Sequence, residues 1–164
     1  MSDRVSDCPP LLPAGEHPLD LEQLRAITVR NFPLSTTRRQ IFSGFERIVR
    51  DLRGLKILGD IVIDGSFLTD EINPDDIDFT LCVTPEFFDT CSPEQRKILE
   101  WIRDDFSIKV THLCDCYLCV EYPKGHPEYF DGIQNRAYWI NLYAVSVVYQ
   151  RIRGVAILRL ENQP

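Results

Sequence analysis

Apolar residues along the chain change their spacing several times, and each change marks an element. From about Leu19 to Val29 leucine and isoleucine recur at helical intervals, and the Asn31-Phe32-Pro33 break closes a short helix there. Ser35 is a plausible N-cap for a longer helix reaching Arg53. Its Ile41, Phe42, Phe45, Ile48, Val49 and Leu52 form a core-facing stripe, and Gly54 stops it. The period then drops to two. Ile57–Asp64 is apolar and β-branched and predicts a strand, and Gly65-Ser66 follows directly. Asn73-Pro74 makes a turn into a second strand over Asp75–Val83. Ser92-Pro93-Glu94-Gln95 has a cap, a proline at the first helical position and a glutamine three residues after the cap, predicting a helix to about Asp105. Ser107–Tyr122 reads as a third strand, Tyr122–Pro127 as a loop, and Val155–Leu160 as a final strand. Ile133–Gln150 is aromatic-rich and reads as a short helix followed by a strand. The four prolines at 9, 10, 13 and 18 predict an extended N-terminal arm over 1–18. Residues 19–164 then make one α/β or α+β domain.

Composition narrows the class. The 164 residues are 44% hydrophobic and 26% charged, an ordinary globular balance. No apolar run approaches the roughly 18 residues of a membrane helix, and the first residues lack the apolar core of a secretory signal, so a soluble cytoplasmic protein is expected. Six cysteines are then thiols in a reducing compartment. The net charge of -7 argues against nucleic-acid binding by bulk electrostatics. That charge is concentrated. Between Lys56 and Arg96 fall ten of the 25 acidic residues and none of the 18 basic ones.

The concentration has a chemical reading. On a strand, Asp76 and Asp78 point to one side while Ile77 and Phe79 point to the core. Two carboxylates that close repel each other unless a cation lies between them, and hard ions such as Mg²⁺ or Mn²⁺ take oxygen ligands of this kind. Gly65 and Ser66, directly after a strand, can offer backbone N–H groups and a hydroxyl to a phosphate. A phosphate cradle beside carboxylate-held metal equips a site for phosphoryl or nucleotidyl transfer. Asp115, flanked by apolar and sulfur side chains, is a third candidate ligand. The plainer alternatives are a solvated turn for Asp76 and Asp78, a simple turn for Gly65-Ser66, and a Lys or Arg partner or solvent for Asp115.

The Gly-Ser…Asp-x-Asp arrangement resembles the nucleotidyltransferase superfamily of DNA polymerase β and the minimal nucleotidyltransferases. It is closest to a poorly characterised bacterial group with a Gly-Ser-Phe-x-Thr…Asn-Pro-x-Asp-Ile-Asp signature, here Gly65, Ser66, Phe67, Thr69, Asn73, Pro74, Asp76, Ile77 and Asp78. The resemblance extends to Leu11–Gly15, Cys114–Tyr117 and Arg153–Ile157. It implies a mixed sheet with flanking helices and catalytic metal on Asp76, Asp78 and Asp115. Asp115 would also activate the attacking hydroxyl, and Gly65 and Ser66 would grip the triphosphate. The implied reaction moves a nucleoside monophosphate from a nucleoside triphosphate to a hydroxyl of RNA, protein or a small molecule. Toxin–antitoxin and phage-defence settings suit such a protein, as does a homodimer or a protein complex. One departure is visible. Thr69-Asp70-Glu71 stands where active minimal nucleotidyltransferases often carry a basic residue. That favours the alternative, a module of the same fold with weak or no catalysis that binds a partner protein or nucleic acid.

Other clusters read as structural. His112, Cys114 and Cys116 would share a strand face opposite Asp115, but with Cys119 they cannot easily wrap one tetrahedral zinc ion, and packing is the better reading. Arg38, Arg39, Arg47, Arg50 and Arg53 read as the solvated side of the long helix. Lys124 and His126 read as loop residues, and Trp101, Tyr138, Trp139 and Tyr143 as core.

Overall fold

The computed structural model describes residues 8–129, 136, 140, 145–146 and 151–161. In chain order the elements are β1 (Gly15–Pro18), α1 (Leu21–Arg25) running into a π-helical turn at Ala26–Arg30, α2 (Arg38–Gly54) and β2 (Gly59–Asp64). A 3₁₀ turn at Ser66–Leu68 leads to β3 (Ile77–Val83), α3 (Pro85–Thr90), α4 (Pro93–Asp104), α5 (Ile108–His112) and β4 (Cys114–Val120). The short β5 (Val145–Ser146) and β6 (Arg151–Ile152) pair antiparallel, and β7 (Gly154–Leu160) closes the order.

Five strands form one mixed sheet in the order β1–β7–β2–β3–β4. The β2–β3 and β2–β7 pairs are antiparallel, whereas β1–β7 and β3–β4 are parallel. A parallel β3–β4 pair needs a crossover, which α3, α4 and α5 supply. The result is the α+β architecture that the alternation of helices and strands predicts.

The pleat assigns the two faces different tasks. Ile61, Ile63, Ile77, Phe79, Leu81 and Leu158 point to one side and are buried with the α2 stripe. All six stripe residues of α2 are at most 1% exposed. Phe45 meets Phe79 edge-on at 5.5 Å, and Phe42 stacks on Phe67 at 6.4 Å. Each such fully buried side chain contributes roughly 1.5–3 kcal/mol, which is what holds the helix on the sheet. The opposite face carries a smaller cluster of Val62, Cys82, Cys119, Val155 and Ile157. Beyond it, at one end of the same face, sit the carboxylates.

Several expected boundaries shift. Ser92 caps α4 with the anticipated capping box to Gln95. The long helix instead starts at Arg38: Ser35 Oγ accepts from Arg38 N at 3.1 Å from just outside it. The expected single strand over 107–122 is two elements, α5 and β4, separated by Leu113 in the left-handed region (φ 55). Ile108 buries its side chain in the core, and the His112 carbonyl lies so close to α2 that a Cβ at Gly44 would come within 1.9 Å of it. Tertiary contact thus overrides the β-branched composition of this stretch. The arm contributes β1, which pairs with β7, and Leu11 N bonds Leu68 O at 2.8 Å. Most of 133–150, including Tyr138, Trp139 and Tyr143, lies outside the described residues. Among the described residues no helix is long and apolar enough to cross a membrane.

Candidate metal centre

Sheet register brings the acidic residues together. Asp64 at the end of β2 is opposite Asp78 on β3, and Asp78 is opposite Asp115 on β4. Opposed residues share a face, so three strands deliver three carboxylates to one row. Asp76 lies two residues before Asp78 and joins the same side. Asp76, Asp78 and Asp115 each offer an oxygen, all within 4.8 Å of one another. Among the described residues this is the one group of three or more His, Cys, Asp or Glu close enough to hold a metal ion.

Gly65 is required where it stands. Its φ of 85° and ψ of -167° belong to a region open essentially to glycine, and a Cβ there would sit 2.0 Å from Asp78 Oδ2. The Asp78 carboxylate therefore rests directly on the backbone of the Gly65-Ser66 turn. Ser66 begins the 3₁₀ turn, and its carbonyl accepts from the Thr69 hydroxyl at 2.7 Å.

The electrostatics are those of crowded, desolvated carboxylates. Burial first, then the like charges of Asp76, Asp115 and Asp64, push the Asp78 carboxyl up to about 7. Asp64 is 5% exposed and is also pushed up to about 7, chiefly by burial; a Gly65 N–H bond and the Arg153 charge oppose the shift. Among the described residues its buried Oδ1 has no hydrogen-bond partner, a costly condition for a polar atom.

A cation is already supplied by the chain. Lys109 Nζ from α5 lies 2.9 Å from Asp76 Oδ2 and 2.9 Å from Asp115 Oδ2. Its pKa is raised, foremost by the bond to Asp76. The Tyr117 hydroxyl, next along β4 on the same face, is also shifted up, by burial and then by the Asp115 charge.

An all-oxygen donor set fits a hard divalent ion. Such an ion, about 2.1 Å from each ligand, needs oxygens about 3–4 Å apart, within reach of small side-chain rotations here. Zinc on sulfur does not fit. Cys114 and Cys116 face the helices, with thiols donating to the His112 and Ile102 carbonyls. Cys119 is on the opposite face, opposed to Cys82 on β3. His112 is on α5, edge-on to Trp101 at 5.4 Å, so the expected shared strand face with the cysteines does not exist. All six cysteines are free thiols.

The remaining signature residues are fasteners. Asn73 Oδ1 accepts from Thr36 N at 2.8 Å, and Pro74 O accepts from the Thr37 hydroxyl at 2.8 Å, tying the turn before β3 to the start of α2. Arg38 is not on a solvated face. It is fully buried, and its guanidinium donates to the carbonyls of Thr28, Phe67, Thr69 and Glu71 while stacking 3.8 Å over the Phe32 ring. Burial lowers its pKa to about 10, so it stays charged near neutrality. Arg39, Arg47 and Arg50 are exposed, and Arg53 is half-buried. Lys124 and His126 are exposed, His126 stacking on Tyr122 at 4.6 Å.

The sequence named Asp76, Asp78, Asp115, Gly65 and Ser66, which the structure brings together, but not Asp64, Lys109 and Tyr117, which lie beside them. Asp64 had a readable signal, a charge closing the apolar Ile61–Ile63 run. Lys109 had none, because an extended 107–122 would hold it six residues from Asp115, about 20 Å away.

A model of the family of unknown function DUF6932 matches residues 6–158, the arm, the sheet and the carboxylate row together. The chain belongs to that family. No curated protein and no solved structure matched the chain. DUF6932 thus brings no assigned activity, and the function of this member has to be argued from its site.

Proposed function

We propose that this DUF6932 protein is a divalent-metal-dependent nucleotidyltransferase of the cytoplasm, which moves a nucleoside monophosphate from a nucleoside triphosphate to a hydroxyl acceptor. The observation that carries the reading is the three-strand register of Asp64, Asp78 and Asp115, with Asp76 beside it, against the Gly65-Ser66 turn. Asp76, Asp78 and Asp115 would hold Mg²⁺ or Mn²⁺. The ion supplies positive charge that offsets the charge developing on the transferring phosphoryl group. Gly65 and Ser66 would meet the phosphates, the lack of a Cβ at Gly65 letting the Asp78 carboxylate pack on the same turn and Ser66 adding a hydroxyl. Asp115, on the edge strand β4 beside Tyr117, would orient the acceptor hydroxyl and take its proton. The acceptor oxygen then bonds the α-phosphorus as the bond to pyrophosphate breaks.

The alternative is a partner-binding module with little or no turnover, and the observation favouring it is the absence of Lys or Arg from 57–95. Thermal unfolding with Mg²⁺ or Mn²⁺ and each of the four ribonucleoside triphosphates separates the two. A metal-dependent upward shift with a nucleotide, abolished in Asp76→Ala/Asp78→Ala, is the expected result and identifies the donor. No shift with any nucleotide, and a double variant that melts higher than wild type, would leave the module.

A further inference from the structure

The row of carboxylates is bridged by a side chain of the protein itself. Lys109 reaches back from α5, its ammonium equidistant at 2.9 Å from Asp76 Oδ2 and Asp115 Oδ2. These oxygens belong to two of the three residues whose carboxylates converge within 4.8 Å. An inner-sphere ion on these same two oxygens would take the space of the ammonium, because the ion's ligand distance is about 2.1 Å. On the other oxygens of the two carboxylates it would sit close to a like charge, so either way the two cations compete for the same acids.

The geometry also allows exchange. The Lys109 side chain is 45% exposed, while Asp76 and Asp115 are 15% and 24% exposed. Asp115 is fixed on β4 and Asp76 directly precedes the adjoining β3, whereas the cation is on an exposed residue of a helix of five residues. Buried Asp64 Oδ1, opposite Asp78 on the neighbouring strand, has no hydrogen-bond partner among the described residues. Lys109 is also a basic side chain that the structure, unlike the sequence, brings beside Asp76 and Asp78, in a region where 57–95 contribute none.

We propose that Lys109 is an exchangeable counter-ion of this centre: it bridges Asp76 and Asp115 when no divalent ion is bound, is expelled when one binds, and then contacts the phosphates of the nucleotide. This rests on the carboxylates binding a divalent ion, as argued above. Lys109 is in this sense a positioning residue before metal binding and a phosphate ligand after it. It supplies from α5 the positive charge absent after Gly65-Ser66.

The test measures Mn²⁺ binding without nucleotide, by the electron paramagnetic resonance of free Mn²⁺, in wild type, Lys109→Met, Lys109→Arg and Asp76→Asn/Asp78→Asn. Each partly exposed ion pair is worth at most a factor of about five, so loss of both should tighten Mn²⁺ binding about tenfold in Lys109→Met. Lys109→Arg keeps the charge and should stay near wild type. At saturating Mn²⁺, a non-hydrolysable nucleoside triphosphate should bind Lys109→Met at least fivefold more weakly than wild type, with Lys109→Arg again close to wild type. Equal or weaker Mn²⁺ binding by Lys109→Met, while Asp76→Asn/Asp78→Asn abolishes binding, overturns the exchange and leaves the metal centre standing. Unchanged nucleotide affinity in Lys109→Met overturns the phosphate contact. If wild type and Lys109→Met bind Mn²⁺ no better than the double variant, the metal reading falls and takes this inference with it.

Discussion

Replacing Asp78 by asparagine keeps the shape of the side chain and removes its charge, and the structure fixes the sign of the result. The Asp78 carboxyl is pushed from 3.8 up to about 7, first by burial and then by Asp76, Asp115 and Asp64. Between these values the folded state binds more protons than the unfolded chain, so stability falls as pH rises from about 4 through about 7. Above that window the whole penalty is present. Three units at about 1.36 kcal/mol each set a ceiling of about 4 kcal/mol. Asparagine must still find partners for its amide, so a gain of about 2 kcal/mol at pH 8 is expected, shrinking towards zero at pH 5. Urea unfolding in chelator at pH 5, 6.5 and 8 measures it, and the wild-type/variant difference isolates Asp78 from other titrating groups. Saturating Mg²⁺ should reverse the order, stabilising wild type but not Asp78→Asn. A variant no more stable than wild type at pH 8, or a difference that does not grow with pH, would refute the crowded-carboxylate argument.

Two further substitutions probe the supports of the site. Arg38→Lys exchanges a fork that serves four buried carbonyls for a single ammonium, and the orphaned carbonyls should cost about 3 kcal/mol, roughly a 10 °C drop in the calorimetric melting temperature. A drop below 2 °C would mean that the buried guanidinium is not holding the loop between β2 and β3. Gly65→Ala forces a Cβ onto Asp78 Oδ2 at a φ of 85°, and should weaken Mn²⁺ binding at least tenfold, with about 1–3 kcal/mol of strain visible in urea unfolding. Unchanged Mn²⁺ affinity would show that Asp78 can move aside without losing the ion.

Much of this site was legible in the chain because its parts are local. Gly65-Ser66 follows a strand that announces itself by β-branched residues, and Asp76 and Asp78 share a side by the period of two. The α2 stripe repeats at helical spacing, so its buried residues could be named in advance. Ser92, Pro93 and Gln95 encode a helix start within four residues, and it forms there. Thr84-Pro85 encodes α3 in the same manner, a signal present but unread.

What local pattern could not decide is which side chains meet across strands and around a crossover. The opposition of Asp64, Asp78 and Asp115 depends on register, set by packing of the whole sheet against α2 and α4 rather than by any one segment. Arg38 looks like its solvated neighbours in sequence, and only the loop carbonyls folded around it make it a buried clamp. Lys109 is the sharpest case. As a strand residue it would be remote from Asp115, but burial of Ile108 and the approach of the His112 carbonyl to Gly44 wind this stretch into α5. The chain therefore carries the ligands in its local pattern. Their convergence, and the lysine between them, are consequences of packing, because contact free energy summed over distant segments outweighs the small preferences of five residues.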